Sequence, residues 1–395
     1  MNKLLQLKNR GSALLLAMCM IVILLAMGMG LLRLGLSSRI FSIRTASDIT
    51  AQCAADAGLT KALFEMNEKL KAELWDESTM PLGTNISLPN CDAVYSYTVT
   101  NNLGSGYTIQ STGNSNQAQR TVSCTLQLQG PFEAAIFTEQ YLYMKNGATV
   151  DWYNYDADDG NLQIATNDAE PDSIVLHNNS TVNGNIGVGM GGDPDAVITD
   201  HGATVNGSTF TLTQIYELPP VTVPESLESL PSLGTINENT TITTSARYSS
   251  IDLGNSETVT ISGDITLYIT GDIILGNSAE LGIENDASLV LYLAGDFEGK
   301  NSSLVNNETQ DPQKLTIYGL DSCETIQFKN STDFYGAIYA PNADVIMHNS
   351  GDVYGAVTAK SFEQKNSAVF NYDVSLRDVS TDDAAVYFTI TNWHE

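Results

Sequence analysis

Side chains able to carry chemistry are few here, and they lie far apart. The stretch "YDADDGN" (Tyr155 to Asn161) gathers Asp156, Asp158 and Asp159 within four residues, the hard oxygen donors a calcium loop uses. Gly160 precedes Asn161, so the loop misses the D-x-[DN]-x-[DN]-G order, and a plain Asp-rich turn explains the same residues. The histidines are His177, His201, His348 and His394, and none stands in a Ser/His/Asp arrangement. Polysaccharide-cleaving sites need clustered carboxylates beside a cation. Arg247 is the sole arginine between Lys145 and Lys365, and the acidic residues fall mostly in turns. "GVGMGGDPD" (Gly187 to Asp195) is Gly-rich but opens no helix, which argues against a phosphate loop. The expectation is a protein that is not an enzyme and holds no cofactor, with calcium at the Asp loop the one exception to test.

Five cysteines, Cys19, Cys53, Cys91, Cys124 and Cys323, show no CxxC and no histidine at zinc spacing. Cys91 and Cys124 flank a region of alternating residues. They either pair across it outside the cytoplasm or remain two independent thiols.

The elements that must position these residues begin with an anchor. Ser12 to Leu32, "SALLLAMCMIVILLAMGMGLL", is 21 residues without a charge. At helical rise it covers ~31 Å, enough to cross a bilayer's hydrocarbon. Lys3, Lys8 and Arg10 precede it and favour a cytoplasmic N-terminus, although Arg33, Arg39 and Arg44 follow. The run exceeds a signal-peptide core, and no A-x-A-like site follows it. Helical periodicity continues to Trp75, with small residues at Ser47, Ala51, Ala54, Ala57 and Ala62. That stripe suits packing beside other helices or against a domain of the same chain.

The phrases "KNRGSALLLAMCMIVILL" and "AQCAADAGLTKAL" resemble the N-terminus of type IV pilin-like proteins, in particular the PilX-type pilus assembly class. There a short basic leader ends in Gly, an apolar helix follows, and an A-A-E-A-G phrase comes later. Ala54-Ala55-Asp56-Ala57-Gly58 matches that phrase with Asp for Glu. The resemblance implies prepilin peptidase cleavage between Gly11 and Ser12, and partners among other pilin-like subunits. Major pilins carry Glu at the fifth mature position, where this chain has Leu16, so the resemblance implies a tip, priming or accessory role rather than a bulk subunit.

Charge separates the anchor from the rest. Residues 1–72 hold nine Lys+Arg and four Asp+Glu, and the remainder holds nine against 42. A body of net −33 within a total of −28 repels nucleic acid and anionic lipid, which excludes nucleic-acid binding as an expected function. Low charge content with abundant Gly, Asn, Ser and Thr indicates a turn-rich, exported β protein.

Three alternating stretches, Ala93 to Asn101, Gly106 to Asn114 and Arg120 to Gly130, predict a small antiparallel sheet within 85–131. Then a phrase recurs. "YGAIYAP" at Tyr335 returns as "YGAVTAK" at Tyr354, nineteen residues on, and each is preceded by Asn-Ser. The aligned corners are Asn146, Asn178, His201, Asn255, Asn277, Asn301, Asn330, Asn349 and Asn366. An apolar residue lies four positions before each: Leu142, Ile174, Val197, Ile251, Ile273, Phe297, Ile326, Val345 and Phe362. Such intervals fit one turn of a parallel β-solenoid over 132–375, each coil burying its apolar face against the next. Asn is expected at the bend because it tolerates the left-handed conformation and its amide can ladder between coils. His177 and His348 precede corners and are placed to stack. Tyr335, Tyr339, Tyr354 and Tyr372 form either a glycan-binding row or interior packing.

"YELPPVTVPESLESLPSLG" (Tyr216 to Gly234) holds four of the 11 prolines. It reads as an extended strap across the solenoid or between two blocks of it, burying Val221, Val223, Leu227 and Leu230. Residues 376–395 are expected to cap the solenoid's open end. The 133–377 region also resembles the solenoid module that follows PilX-type N-termini, with a distant likeness to bactofilins. The fold class is therefore mainly β: a leader (1–11), a pilin-like transmembrane helix (12–75), a small antiparallel sheet and a β-solenoid. The expected role is a structural component of a pilus-like assembly outside the cytoplasmic membrane. The alternatives are a tethered carbohydrate-binding or carbohydrate-active protein, or a static envelope scaffold.

Overall fold

The computed structural model describes residues 10–71, 75–76, 78–102, 106–154, 162–378 and 385–394. The chain divides into two compact units, Met1–Gln127 with Phe388–Glu395, and Leu128–Tyr387.

The first unit is one helix and one sheet. Helix α1 runs unbroken over Arg10–Lys71, 62 residues, because no proline interrupts it and its glycines are isolated. Among the described residues it is the one helix long and apolar enough to cross a membrane. Its side chains from Leu14 to Leu36 are exposed, whereas Ala51, Ala54, Ala55, Leu59, Ala62 and Met66 are buried. The small-residue stripe thus lies on the chain's own sheet, not on a partner helix. Gly113 makes the fit possible, since a Cβ there would be driven into Ala51 O and Ala55 N. The antiparallel sheet runs β1 (Leu82–Ser87), β2 (Val94–Asn101), β3 (Tyr107–Ser115) and β4 (Ala118–Gln129).

The fifth strand of that sheet is Tyr387–His394, next to β4. This corrects the expectation that residues 376–395 cap the solenoid. The reason is local: Phe388 is buried between Trp75 and Tyr107, and its N–H donates to Asn67 Oδ1 at 2.7 Å.

The second unit is a parallel β-solenoid in which most coils have three short strands, each pairing with the strand three further on, while Asp333–Met347 and Asp352–Gln364 each run through the three positions as one long strand. Its inward column is continuous. Ile251, Ile273, Phe297, Ile326, Val345, Phe362, Leu142, Ile174 and Ile198 pair in that order. The order is not that of the sequence. The first coil stacks on the last, through Phe362 with Leu142 and Phe370 with Val150. The chain enters in mid-stack, winds to one end at Thr209–Thr211, crosses to the other end, and winds back.

The Pro-rich strap makes the crossing. Its backbone meets Asn167 at Tyr216, accepts from Tyr339 Oη at Pro219 (2.7 Å), and accepts from Arg247 Nη1 at Glu228 (2.8 Å). Leu227 is buried, and Val221, Val223 and Leu230 pack half-buried on the core. Proline suits this path because a strap needs no ladder donors.

The repeated "YGA" phrase has a steric cause. Tyr335 and Tyr354 stack at 4.4 Å with planes 4° apart, and Gly336 pairs with Gly355. Gly355 has φ +144°, and a Cβ on it would be driven into Gly336 O. Gly355→Ala is expected to lower stability by about 1–3 kcal/mol, the cost of a strained backbone position. A denaturant midpoint equal to that of the unaltered protein would refute this account of the phrase.

Candidate functional site

The corners form a single column along one edge of the solenoid. In each step, the N–H after one corner donates to the carbonyl at the next: Ser256 to Asn277 (3.0 Å), Ser278 to Asn301, Ser302 to Asn330, Ser331 to Asn349, Ser350 to Asn366, Ser367 to Asn146, Gly147 to Asn178 and Asn179 to Gly202. The side-chain amides ladder as well. Asn277 Nδ2 donates to Asn255 Oδ1 at 3.1 Å, Asn301 to Asn277 and Asn330 to Asn301 at 3.2 Å, and Asn366 to Asn349 at 3.3 Å.

Two details differ from the sequence reading. The left-handed residue is not the asparagine but its successor: Ser256, Ser278, Ser302, Ser331, Ser350 and Ser367 have φ of 55–61°, and Gly147 and Asn179 take the same place. The asparagine keeps its amide aimed along the stack, so the reversal falls one residue later. His201 is also one position early. Ile198 pairs with Ile174, which puts Gly202 at the ninth corner and stacks His201 on His177, ring centroids 5.4 Å apart.

The tyrosines sort into two environments. Tyr339 and Tyr372 are wholly buried, and Tyr372 Oη donates to Phe132 O at 2.8 Å. Tyr335, also buried, and the half-buried Tyr354 point away from the solenoid interior and are covered by Tyr153, whose hydroxyl donates to Gln310 O at 2.8 Å. On the same strands Asp333 pairs with Asp352. Burial holds both carboxyls above the ordinary range, and the Asp352 charge adds to this at Asp333.

A half-open cavity of about 70 Å³ lies elsewhere in the solenoid, lined by Phe137, Phe210, Tyr216, Pro219, Tyr387 and the carboxyl-bearing Glu133. Phe137 and Tyr216 meet edge to face at 5.6 Å. Burial raises the Glu133 carboxyl, and Arg377 opposes that shift. No local pattern announces this cavity, because the strap and the first coils that form it are far apart in the chain.

The remaining sequence candidates do not assemble. The Asp156, Asp158 and Asp159 loop lies outside the described residues. Among the described residues no group of three or more His, Cys, Asp or Glu side chains is placed to hold a metal. Cys91 and Cys124 are both free thiols, which decides against the disulfide: Cys91 is exposed in the turn between β1 and β2. Cys124 is buried on β4 opposite Ile109, and burial pushes its thiol up to about 11. Gly11 and Ser12 lie within helix α1.

A family described only as a domain of unknown function, DUF7305, matches residues 213–379, the strap and the coils after it. No curated protein matches the chain. Among solved structures, the competence-associated pilin ComZ from Thermus thermophilus aligns at 12% identity and TM-score 0.26, covering 88% of this chain and 97% of its own. A glycosylated ice-binding protein, LeIBP, from an Arctic yeast aligns at 14% and 0.31, covering 61% and 91%. An ice-binding protein from the Antarctic ascomycete Antarctomyces psychrotrophicus aligns at 12% and 0.28, covering 64% and 96%. At these scores the likenesses carry no argument about function.

The Asp333–Asp352 pair gives a pH test. Folded values raised above the unfolded ones mean that the pair's contribution to stability is full below the unfolded value and is lost as pH rises through the folded one. Asp352→Asn is expected to raise stability at neutral pH by about 0.2–1 kcal/mol, the scale of a like-charge pair across strands. The gain should shrink below about pH 4. Denaturant melts at the two pH values check it, and a neutral-pH loss would contradict it.

Proposed function

We propose that this chain is a structural or accessory component of a type IV pilus-like assembly, held in the cytoplasmic membrane by α1 and displaying its acidic solenoid outside. The observation that carries this reading is the division of labour along α1. One unbroken helix is apolar and uncovered from Leu14 to Leu36, and clamped to its own sheet from Ala51 to Met66. A membrane span that continues rigidly into a folded head lets the span pack among other helices while the head is presented beyond them. The basic residues before the span, the Gly11-Ser12 junction and the Ala54–Gly58 phrase agree with this reading, and Leu16 favours an accessory place.

The solenoid's part in this reading is display rather than catalysis. Its outer faces carry laddered asparagines and stacked tyrosines, which stiffen a surface without supplying a nucleophile and base. The aromatic cavity near Tyr216 and Glu133 favours a second reading, in which the displayed unit holds a glycan.

Mass spectrometry of the native protein is expected to find Ser12 at the N-terminus, with the leader removed. Pull-down of the intact protein from membranes should bring pilin-family subunits with it. An uncut N-terminus and no co-purifying pilin would leave a static envelope scaffold as the better description.

A further inference from the structure

The residue just before each corner forms a second column, and its composition is unlike the rest of the unit. Reading along the stack it is Gly254, Gly276, Lys300, Lys329, His348, Lys365, Lys145, His177 and His201. Backbone hydrogen bonds fix the register. Lys329 N–H donates to Gly299 O, His348 to Phe328 O, Lys365 to Met347 O, Lys145 to Gln364 O, His177 to Met144 O and His201 to Leu176 O, all at 2.8 Å. Seven successive coils therefore present a basic side chain at one position. At a ladder spacing of about 4.8 Å the stripe is about 29 Å long. It takes four of the nine Lys and Arg beyond residue 72, and three of the four histidines.

Sheet stability does not ask for this arrangement, since like charges directly opposite one another destabilise a ladder. Neighbouring carboxylates offset only part of it. Glu298 reaches Lys329 at 3.6 Å, and Glu363 reaches Lys145 at 3.6 Å and Lys365 at 3.9 Å. Two glutamates thus stand against four lysines, in a chain whose net charge is −28. Beside the stripe, Tyr143 lies 5.3 Å beneath Lys145 Nζ and 4.7 Å from Tyr141. Along its other side runs the exposed asparagine ladder.

We propose that this stripe binds a linear carboxylated polysaccharide laid along the stack. A sugar ring spans about one ladder step, so a polymer with one carboxylate per ring meets the cations nearly in register. The Tyr141–Tyr143 pair offers an apolar face for ring C–H groups, and the corner amides offer donors and acceptors for hydroxyls. The acidic faces oppose a polyanion at long range, but that field is screened beyond about 8 Å at physiological ionic strength. The opposition weighs most on densely charged nucleic acid and least on a polymer with one charge per sugar.

His348 is held below its ordinary value by burial first and then by Lys365 and Lys329, against the opposing Glu363 and Glu298. His177 is held down by burial, Lys145 and His201. Both are neutral at pH 7 and add positive charge on acidification, so binding tightens as the pH falls. None of this depends on the pilus-like reading, which can fail while the stripe still binds.

The test uses full-length protein in detergent, titrated calorimetrically with polygalacturonate oligomers about seven sugars long, to match the stripe. Neutral galactan oligomers of equal length serve as the control. The acidic oligomers alone are expected to bind, more tightly at pH 5.5 than at pH 7.5 (each about one unit from the histidine reference), and more weakly in high salt. Replacing Lys145, Lys300, Lys329 and Lys365 together by Gln should weaken binding about tenfold or more, as the loss of four half-buried charge contacts. The off-stripe pair Lys314→Gln with Lys360→Gln should leave it unchanged. If the fourfold variant fails to fold, Lys300→Gln and Lys365→Gln singly should each weaken binding about twofold to threefold. Equal binding of neutral oligomers, or undiminished binding by the lysine variants, overturns the proposal. So does tighter binding of single-stranded DNA of equal length, which would assign the stripe to nucleic acid. A salt-sensitive dimer lost in the variants, with no polyuronate binding, would assign it to a second copy.

Discussion

The solenoid rests on one constraint: a coil can cover its inward side chains only with another coil of the same shape. A single turn presenting Phe297 or Ile326 has no second layer of its own. Each fully buried aliphatic or aromatic residue contributes about 1.5–3 kcal/mol only once its neighbours are in place. Identical shape requires identical reversals, which is why a small residue with φ near +57° recurs after every asparagine from Asn255 to Asn366. L-residues other than Gly, Asn and Asp avoid that conformation at a cost of roughly 1–2 kcal/mol. Six serines accept it because the alternative is a coil that does not stack.

Much of this was legible in the sequence because the rule acts locally. The apolar residue four positions before each corner, the Asn-Ser pair and the wide gap filled by prolines each reflect a demand within one coil. The strap was legible for the same reason, since Leu227 and its neighbours needed something to cover. What was hidden depends on non-local pairing. No local signal says that Leu142 lies against Phe362, or that Phe388 inserts beside Trp75 rather than over an open coil. His201 misled because alignment by "GATV" counts residues, whereas the ladder counts hydrogen bonds, and the end coil slips by one. The cationic column was visible in principle, since it needs only the residue before each corner read down the stack. Histidines among the lysines disguised it.

Charge placement follows the same logic at the surface. A solenoid with long ladders risks sticking edge to edge, and an acidic exterior opposes that. Against this background, four lysines at successive coil edges stand out because the rest of the unit has so few. A stacked fold turns a single residue choice into a row, so a preference too weak to matter once becomes a surface with direction and length.

The chain's entry into mid-stack has a consequence for biosynthesis. Residues 128–387 lie, in chain order, between β4 and the strand that completes the small sheet. The sheet beneath α1 therefore stays one strand short until the entire solenoid has left the ribosome. The first three coils likewise emerge with one flank bare, awaiting a lid that arrives some two hundred residues later (362 against 142). Such a molecule is exposed to wrong partners for most of its synthesis. A chaperone that shields bare ladder edges is the kind of helper its topology calls for.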